Sequence, residues 1–350
     1  MENSVPSWWV SKEKDIQKFL DTWVMEGKTE ILAISPGGRK IRAYSYGTAQ
    51  PELRGKANFN SAIGSGNPDN YFKRGPGVRK HPVLMVIAGV HGQEVEGMVA
   101  ALSLINIVET GKDLSGKEQP VLFKKLANMR LIIVPLANPD GRARVPYDGW
   151  VGLELEEMTK YGQGTNTKGE LYRWRGSKAV HPMKGDVGLL GAYFDDNGVN
   201  MMHDDWACPM SKTTTALLKL AAKEGPDLLL NLHSHSHDPA VLPTSYIPVE
   251  SNLKKIRFTD TLHARLAKEG YSYVQHPITF EEGPAGRVPA AMNLTSMLYH
   301  VGADVSITFE SPHGVIGGEN PYQYDDILKI HNILFHTSAD YLESISADTP

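Results

Sequence analysis

The sequence has one cysteine, Cys208, in 350 residues, so no internal disulfide can form. That usage leans towards a reducing compartment. It has no long apolar run: the strongest, residues 83–90, is far too short to span a bilayer, and no membrane association is expected. The N-terminus, MENSVPSWWVSKEKD, has no basic segment followed by an apolar one, so no leader is visible. A cytoplasmic location is the expectation, although a secreted protein with its leader removed reads the same way. Net charge is -4 and no basic block stands out, which argues against nucleic acid as the main partner. There is no internal repeat and no low-complexity linker. His-Glu-x-x-His and Gly-x-Ser-x-Gly are both missing, which removes the common zincin and serine hydrolase readings.

What is present reads as alternating strands and helices. Hydrophobic residues make up 41% and charged residues 22%, enough apolar material for a sizeable core at this length. Residues 11–26 carry Ile16, Phe19, Leu20, Trp23 and Val24 on one helical face. Short β-like runs at 30–34 and 40–46 flank a Pro36-Gly37-Gly38 turn. Residues 50–77 read as an irregular excursion. An apolar strand at 83–90, a helix at 94–109 and a second strand at 129–136 suggest a parallel unit. The connection 143–193 is unusually long and is expected to shape a binding site. Helices follow at 213–223, 252–269, 289–301 and 324–344, with strands at 227–232 and 305–309. The expectation is one α/β domain with a mixed sheet. Residues 1–27 form its N-terminal packing extension and 28–350 its catalytic body.

The chemistry gathers at strand ends. His91 and Glu94 stand three apart where the first apolar strand gives way to a helix, a pair suited to zinc. A catalytic zinc takes three protein ligands and leaves a position for water. His233 follows Leu228-Leu229-Leu230-Asn231-Leu232 and would emerge where that strand leaves the core. His235 and His237 follow at two-residue spacing and can share its face, so His235 competes for the third place. The spare histidines can orient ligands or face substrate. Glu310, after Ile307-Thr308-Phe309, is a carboxylate at a strand mouth. Burial there would raise its pKa towards that of a useful base. The stretch Gly111–Lys117 spells part of a phosphate-binding loop, but Glu118 replaces the needed Ser or Thr and a helix precedes it.

Gly38-Arg39-Lys40-Ile41, His91-Gly92-Gln93-Glu94, Asn138-Pro139-Asp140-Gly141, Gly198-Val199-Asn200, Leu232-His233-Ser234 and Thr308-Phe309-Glu310 occur in this order. Together they resemble the carboxypeptidase A-like zinc metallocarboxypeptidases, a superfamily that includes deacylases and amidases. The resemblance runs from about Ile31 to Leu342. It implies a three-layer α/β/α fold around a mixed, mostly parallel sheet of about eight strands. It implies one zinc ion on His91, Glu94 and His233, with Glu310 as general base and later proton donor. It also implies a carbonyl-polarising arginine in the Arg173-Trp174-Arg175 region, assigned here to Arg175.

The departures concern specificity. Met202 and His203 stand where the family presents an Asn-Arg pair that grips a terminal carboxylate. Methionine donates no hydrogen bond and histidine is no fork for a carboxylate. Arg142, Arg144, Arg173 or Arg287 would have to replace that grip, with His203 and His235 beside the substrate. Asp204, Asp205, Glu281 and Glu282 could instead face a cationic substrate. The expected activity is zinc-dependent hydrolysis of an amide bond in a peptide, with an amidase or deacylase acting on a small or modified substrate as the alternative. A zinc-binding homologue without catalysis is disfavoured by the presence of Glu310.

Overall fold

The computed structural model describes residues 4–49, 81–205, 207–276 and 292–347, without the side chains of Arg175, Lys178, Ala179 and Ala347. The expected excursion at 50–77 and the segment around Glu281, Glu282 and Arg287 lie outside the described residues.

The chain opens with α1 (Glu13–Trp23), then the hairpin β1 (Lys28–Ile34) and β2 (Lys40–Tyr46). Next come β3 (Val83–Ala88), α2 (Val95–Thr110), α3 (Pro120–Leu126) and β4 (Arg130–Val134). The long connection holds α4 (Pro139–Arg144), α5 (Leu155–Gln163) and α6 (Trp174–Ala179). After it come α7 (Lys212–Glu224), β5 (Leu228–His235), β6 (Ala240–Leu242) and α8 (Val249–Lys268). The chain closes with α9 (Leu294–Val301), β7 (Val305–Pro312) and α10 (Tyr324–Ala347). The short α3 and β6 had no sequence signal strong enough to separate them from their neighbours.

The described strands form one seven-stranded sheet in the order β1-β2-β4-β3-β5-β7-β6. Its centre, β4-β3-β5-β7, is parallel, and β1, β2 and β6 add antiparallel edges. This is the mixed, three-layer α/β architecture expected from the sequence. Near-continuous apolar runs in β3 and β5 follow from burial on both faces. Leu84, Val86 and Ala88 of β3 join Leu228, Leu230 and Leu232 of β5 in a cluster with α2, α8 and α10. Met85 and Ile87 face the other way with Leu229, packing against α7 and α9. The two-residue side-chain period sends alternate residues into two separate cores.

Parallel strands deliver their carboxyl ends to one edge, where α/β sheets bind ligands. In the register between β5 and β7, His233 is paired with Glu310 and Leu232 with Phe309. Ala88, the last residue of β3, pairs with Leu232. His91, His233 and Glu310 therefore reach the same edge of the sheet.

Candidate metal centre and active-site cleft

His91 and Glu94 are placed by a tight strand-to-helix junction. The turn presses against α4: a Cβ on Gly92 would lie 2.2 Å from the Arg142 backbone nitrogen. Glu94 is the N-cap of α2 but makes no capping bond with its side chain. Its two oxygens meet the histidines instead. His91 Nδ1 lies 2.8 Å from Glu94 Oε1 and His233 Nδ1 lies 2.7 Å from Oε2. The two Nδ1 atoms are 3.2 Å apart. All three side chains are buried.

Two imidazole nitrogens at 3.2 Å with a carboxylate between them form the donor set of a His2Glu zinc site. Among the described residues these three are the group able to hold a metal ion. His91 is oriented from behind: its Nε2 lies 3.3 Å from Asn200 Oδ1, so a proton there leaves Nδ1 free as a ligand. Asn200 is itself fixed. Its N–H donates to His181 Nε2 at 2.9 Å, and its Oδ1 accepts from the Met202 N–H at 2.9 Å. Burial alone would raise the Glu94 pKa, but the paired histidines outweigh it and hold the carboxyl well below its usual range. A carboxylate ionised at every ordinary pH is what a cation site needs.

The centre opens into a cleft of about 840 Å³ lined by, among others, Glu310, Tyr193, His203, His235, His313 and Arg173. Glu310 is half-buried at its floor. Burial pushes its pKa up, His233 pulls it down and Glu94 pushes it up again, leaving it at about 7. A base near neutrality is effective in proton transfer.

The remaining sequence-predicted residues divide sharply. His235 turns its Nε2 to the Asp238 carbonyl at 2.8 Å and lines the cleft, outside the metal-ligating group. His203 also lines the cleft. Arg173 sits at its rim, with 75% of its side chain exposed and Glu156 at 3.9 Å. Arg175 belongs to α6, and its side chain is outside the described residues. Arg142 is fully buried, donating to the Ser11 carbonyl at 2.7 Å and the Tyr147 carbonyl at 2.5 Å. It ties the N-terminal segment to the 145–150 loop rather than facing the cleft. Asp204 is buried and accepts from the backbone N–H groups of Asp205, Met210 and Ser211. Its charge is spent on that turn. Arg144 likewise serves Asp196 and the carbonyls of Gly191 and Phe194.

Sequence reasoning missed Tyr193 and Gln163. Both lie in the long connection, where no periodicity marks them. Tyr193 stacks edge-on against His91 with ring centroids 3.8 Å apart. Burial, and then the nearby Glu94 and Glu310 carboxylates, push its phenol well above the usual range.

The fold carries a buried His-Glu-His group of the kind that can hold a zinc ion. Residues 29–179 match the family model for zinc carboxypeptidase, a span that includes His91, Glu94 and the Asn138–Gly141 motif. Over that span the chain is similar to the zinc carboxypeptidases. Its fold resembles a metallo-carboxypeptidase from Burkholderia cenocepacia (TM-score 0.59, 14% identity), covering 95% of this chain and 70% of that one. It also resembles carboxypeptidase A from Helicoverpa armigera (0.55, 15%), covering 99% and 76% respectively. A third is a Pseudomonas aeruginosa metallo-carboxypeptidase bound to (2-guanidinoethylmercapto)succinic acid (0.54, 16%), covering 94% and 69%. Comparison with curated proteins gives no significant match.

Proposed function

We propose that this protein hydrolyses an amide bond in a peptide, using one zinc ion held by His91, Glu94 and His233. The observation that carries this reading is the placement of Glu310 beside His233 across adjacent parallel strands, with its pKa raised to about 7. When bound, zinc supplies a Lewis acid that acidifies water and polarises a carbonyl. Glu310 takes the proton from the attacking water and returns it to the departing nitrogen. Asn200 keeps the His91 tautomer fixed while charge moves. Arg175, on α6 beside the cleft, is assigned to the carbonyl oxygen.

Specificity is atypical in this reading. The Met202 sulfur accepts a long contact from Asn231 Nδ2 at 3.5 Å and is buried, so it offers nothing to a carboxylate. This favours, as the second reading, an amidase or deacylase acting on a small or modified amino-acid substrate. The test uses zinc-loaded protein and mass spectrometry of products. A mixed peptide pool is supplied with free C-termini and with amidated C-termini, beside a set of N-acyl amino acids. Loss of single C-terminal residues from the free form alone supports the carboxypeptidase. Cleavage confined to the acyl set, or indifference to the terminus, supports the amidase or deacylase. No cleavage of any set contradicts the proposal.

A further inference from the structure

We propose that Tyr193 is a catalytic residue of this centre, its phenol O–H donating a hydrogen bond to the scissile carbonyl oxygen as that oxygen gains negative charge. The inference rests on the metal-dependent hydrolase reading above and adds a second electrophilic group to it.

The backbone around Tyr193 is pinned to both walls of the centre. Gly92 N–H donates to the Ala192 carbonyl at 2.8 Å, at the metal-binding turn. Ala192 and Tyr193 N–H donate to the Tyr161 and Gly162 carbonyls at 2.7 and 3.0 Å, at the end of α5. The ring is held against His91, a ligand residue, and the side chain lines the cleft. Its hydroxyl lies close enough to Gln163 and Glu94 for both to act on it electrostatically. Gln163 is oriented by Ser177, whose hydroxyl donates to Oε1, which leaves its amide N–H groups as donors on the other side. The phenol stands against His91 beside Glu94, where the ligand atoms converge. Once a cation engages the Glu94 oxygens, the phenol proton can turn to an oxygen bound in the cleft.

An oxyanion needs donors fixed before the reaction begins. Tyr193 is fixed on three sides. Arg173, by contrast, is 75% exposed at the rim, and Trp174 beside it is 54% exposed. Tyr193 also suits a site already crowded with charge, because it donates without adding a cation beside the metal.

The experiment compares wild type with Tyr193→Phe, which keeps the ring on His91 and removes only the hydroxyl. Both are loaded with cobalt(II), and cobalt content and thermal midpoint are measured. The d–d absorption is then titrated with acetohydroxamate, an oxygen-donor ligand, and separately with ethanethiol, whose sulfur is a poor hydrogen-bond acceptor. The expected result is equal cobalt content and midpoint, unchanged ethanethiol affinity, and acetohydroxamate affinity weaker by about 10- to 100-fold. On any substrate the product survey yields, kcat should fall by roughly 10²–10³ with KM little changed. Equal acetohydroxamate affinity in the two proteins overturns the inference. So does an equal loss for both probes, which would mark a structural role. A wild-type protein that takes up no cobalt contradicts the metal reading itself, an outcome distinct from either.

Discussion

At the scale of single residues, the account depends on which groups carry charge and which are neutralised by the fold. Glu310→Gln keeps the side-chain volume and removes the base. Turnover should fall by at least about 10²–10⁴ while zinc content is unchanged, checked by product analysis and metal determination on the same sample. The base acts in its deprotonated form, so kcat/KM falls as pH drops through the Glu310 pKa. That acid limb should lie at or below about pH 7, because a bound dication favours the carboxylate further. An acid limb that is unmoved in a residual-activity profile of Glu310→Gln would assign it elsewhere. Asp140 shows how a motif can be structural. Its buried carboxylate accepts from Ser35 Oγ at 2.6 Å, Gly37 N at 3.0 Å and Arg39 Nη1 at 2.8 Å. It thereby ties the first hairpin to the Asn138-Pro139-Asp140-Gly141 turn. Asp140→Ala should cost about 2–4 kcal/mol in denaturant unfolding, since these three donors and the Asp196 N–H, at 3.3 Å, lose their acceptor.

At the scale of elements, the apolar strands carried most of what the sequence could tell. Both faces of β3 and β5 are covered, so each reads as a near-continuous apolar run, broken in β5 only by the buried Asn231, and the charged and histidine side chains come where the run stops. His91, His233 and Glu310 stand out as candidates in the sequence for that reason. Arg142 and Asp204 were misread because a charged residue near a motif looks the same whether it meets substrate or satisfies buried backbone groups. Only the packing of the N-terminal segment and of the 205–211 turn distinguishes them. Tyr193 and Gln163 were invisible because the long connection owes its shape to distant contacts. Helix α10 makes a separate prediction. His331 is buried between Phe309 and Phe335, donates Nδ1–H to the Ile327 carbonyl at 2.8 Å, and leaves Nε2 without a partner. Burial lowers its pKa from 6.5 to about 4. A base held neutral in the folded state contributes stability above pH 6.5 and loses it as pH falls towards 4, by about 3 kcal/mol. His331→Leu should flatten the stability curve in that window; an unchanged slope would mean another group sets it.

At the scale of the whole molecule, the proposed metal centre links elements far apart in sequence. His91 and Glu94 sit at the start of α2, His233 at the end of β5 and Glu310 on β7, so ligand binding ties the sheet edge together. A ligand that binds only the folded state raises stability by mass action. A chelator should therefore lower the thermal midpoint of the zinc-loaded protein by several degrees, and leave the midpoint of His233→Ala unmoved. The most direct measurement is zinc stoichiometry, by plasma mass spectrometry, in wild type, His233→Ala and His235→Ala after identical loading and dialysis. The account predicts one zinc per chain in wild type and in His235→Ala, and essentially none in His233→Ala. Full zinc in His233→Ala, with loss in His235→Ala, would contradict the proposed ligand set and move the centre to the other histidine.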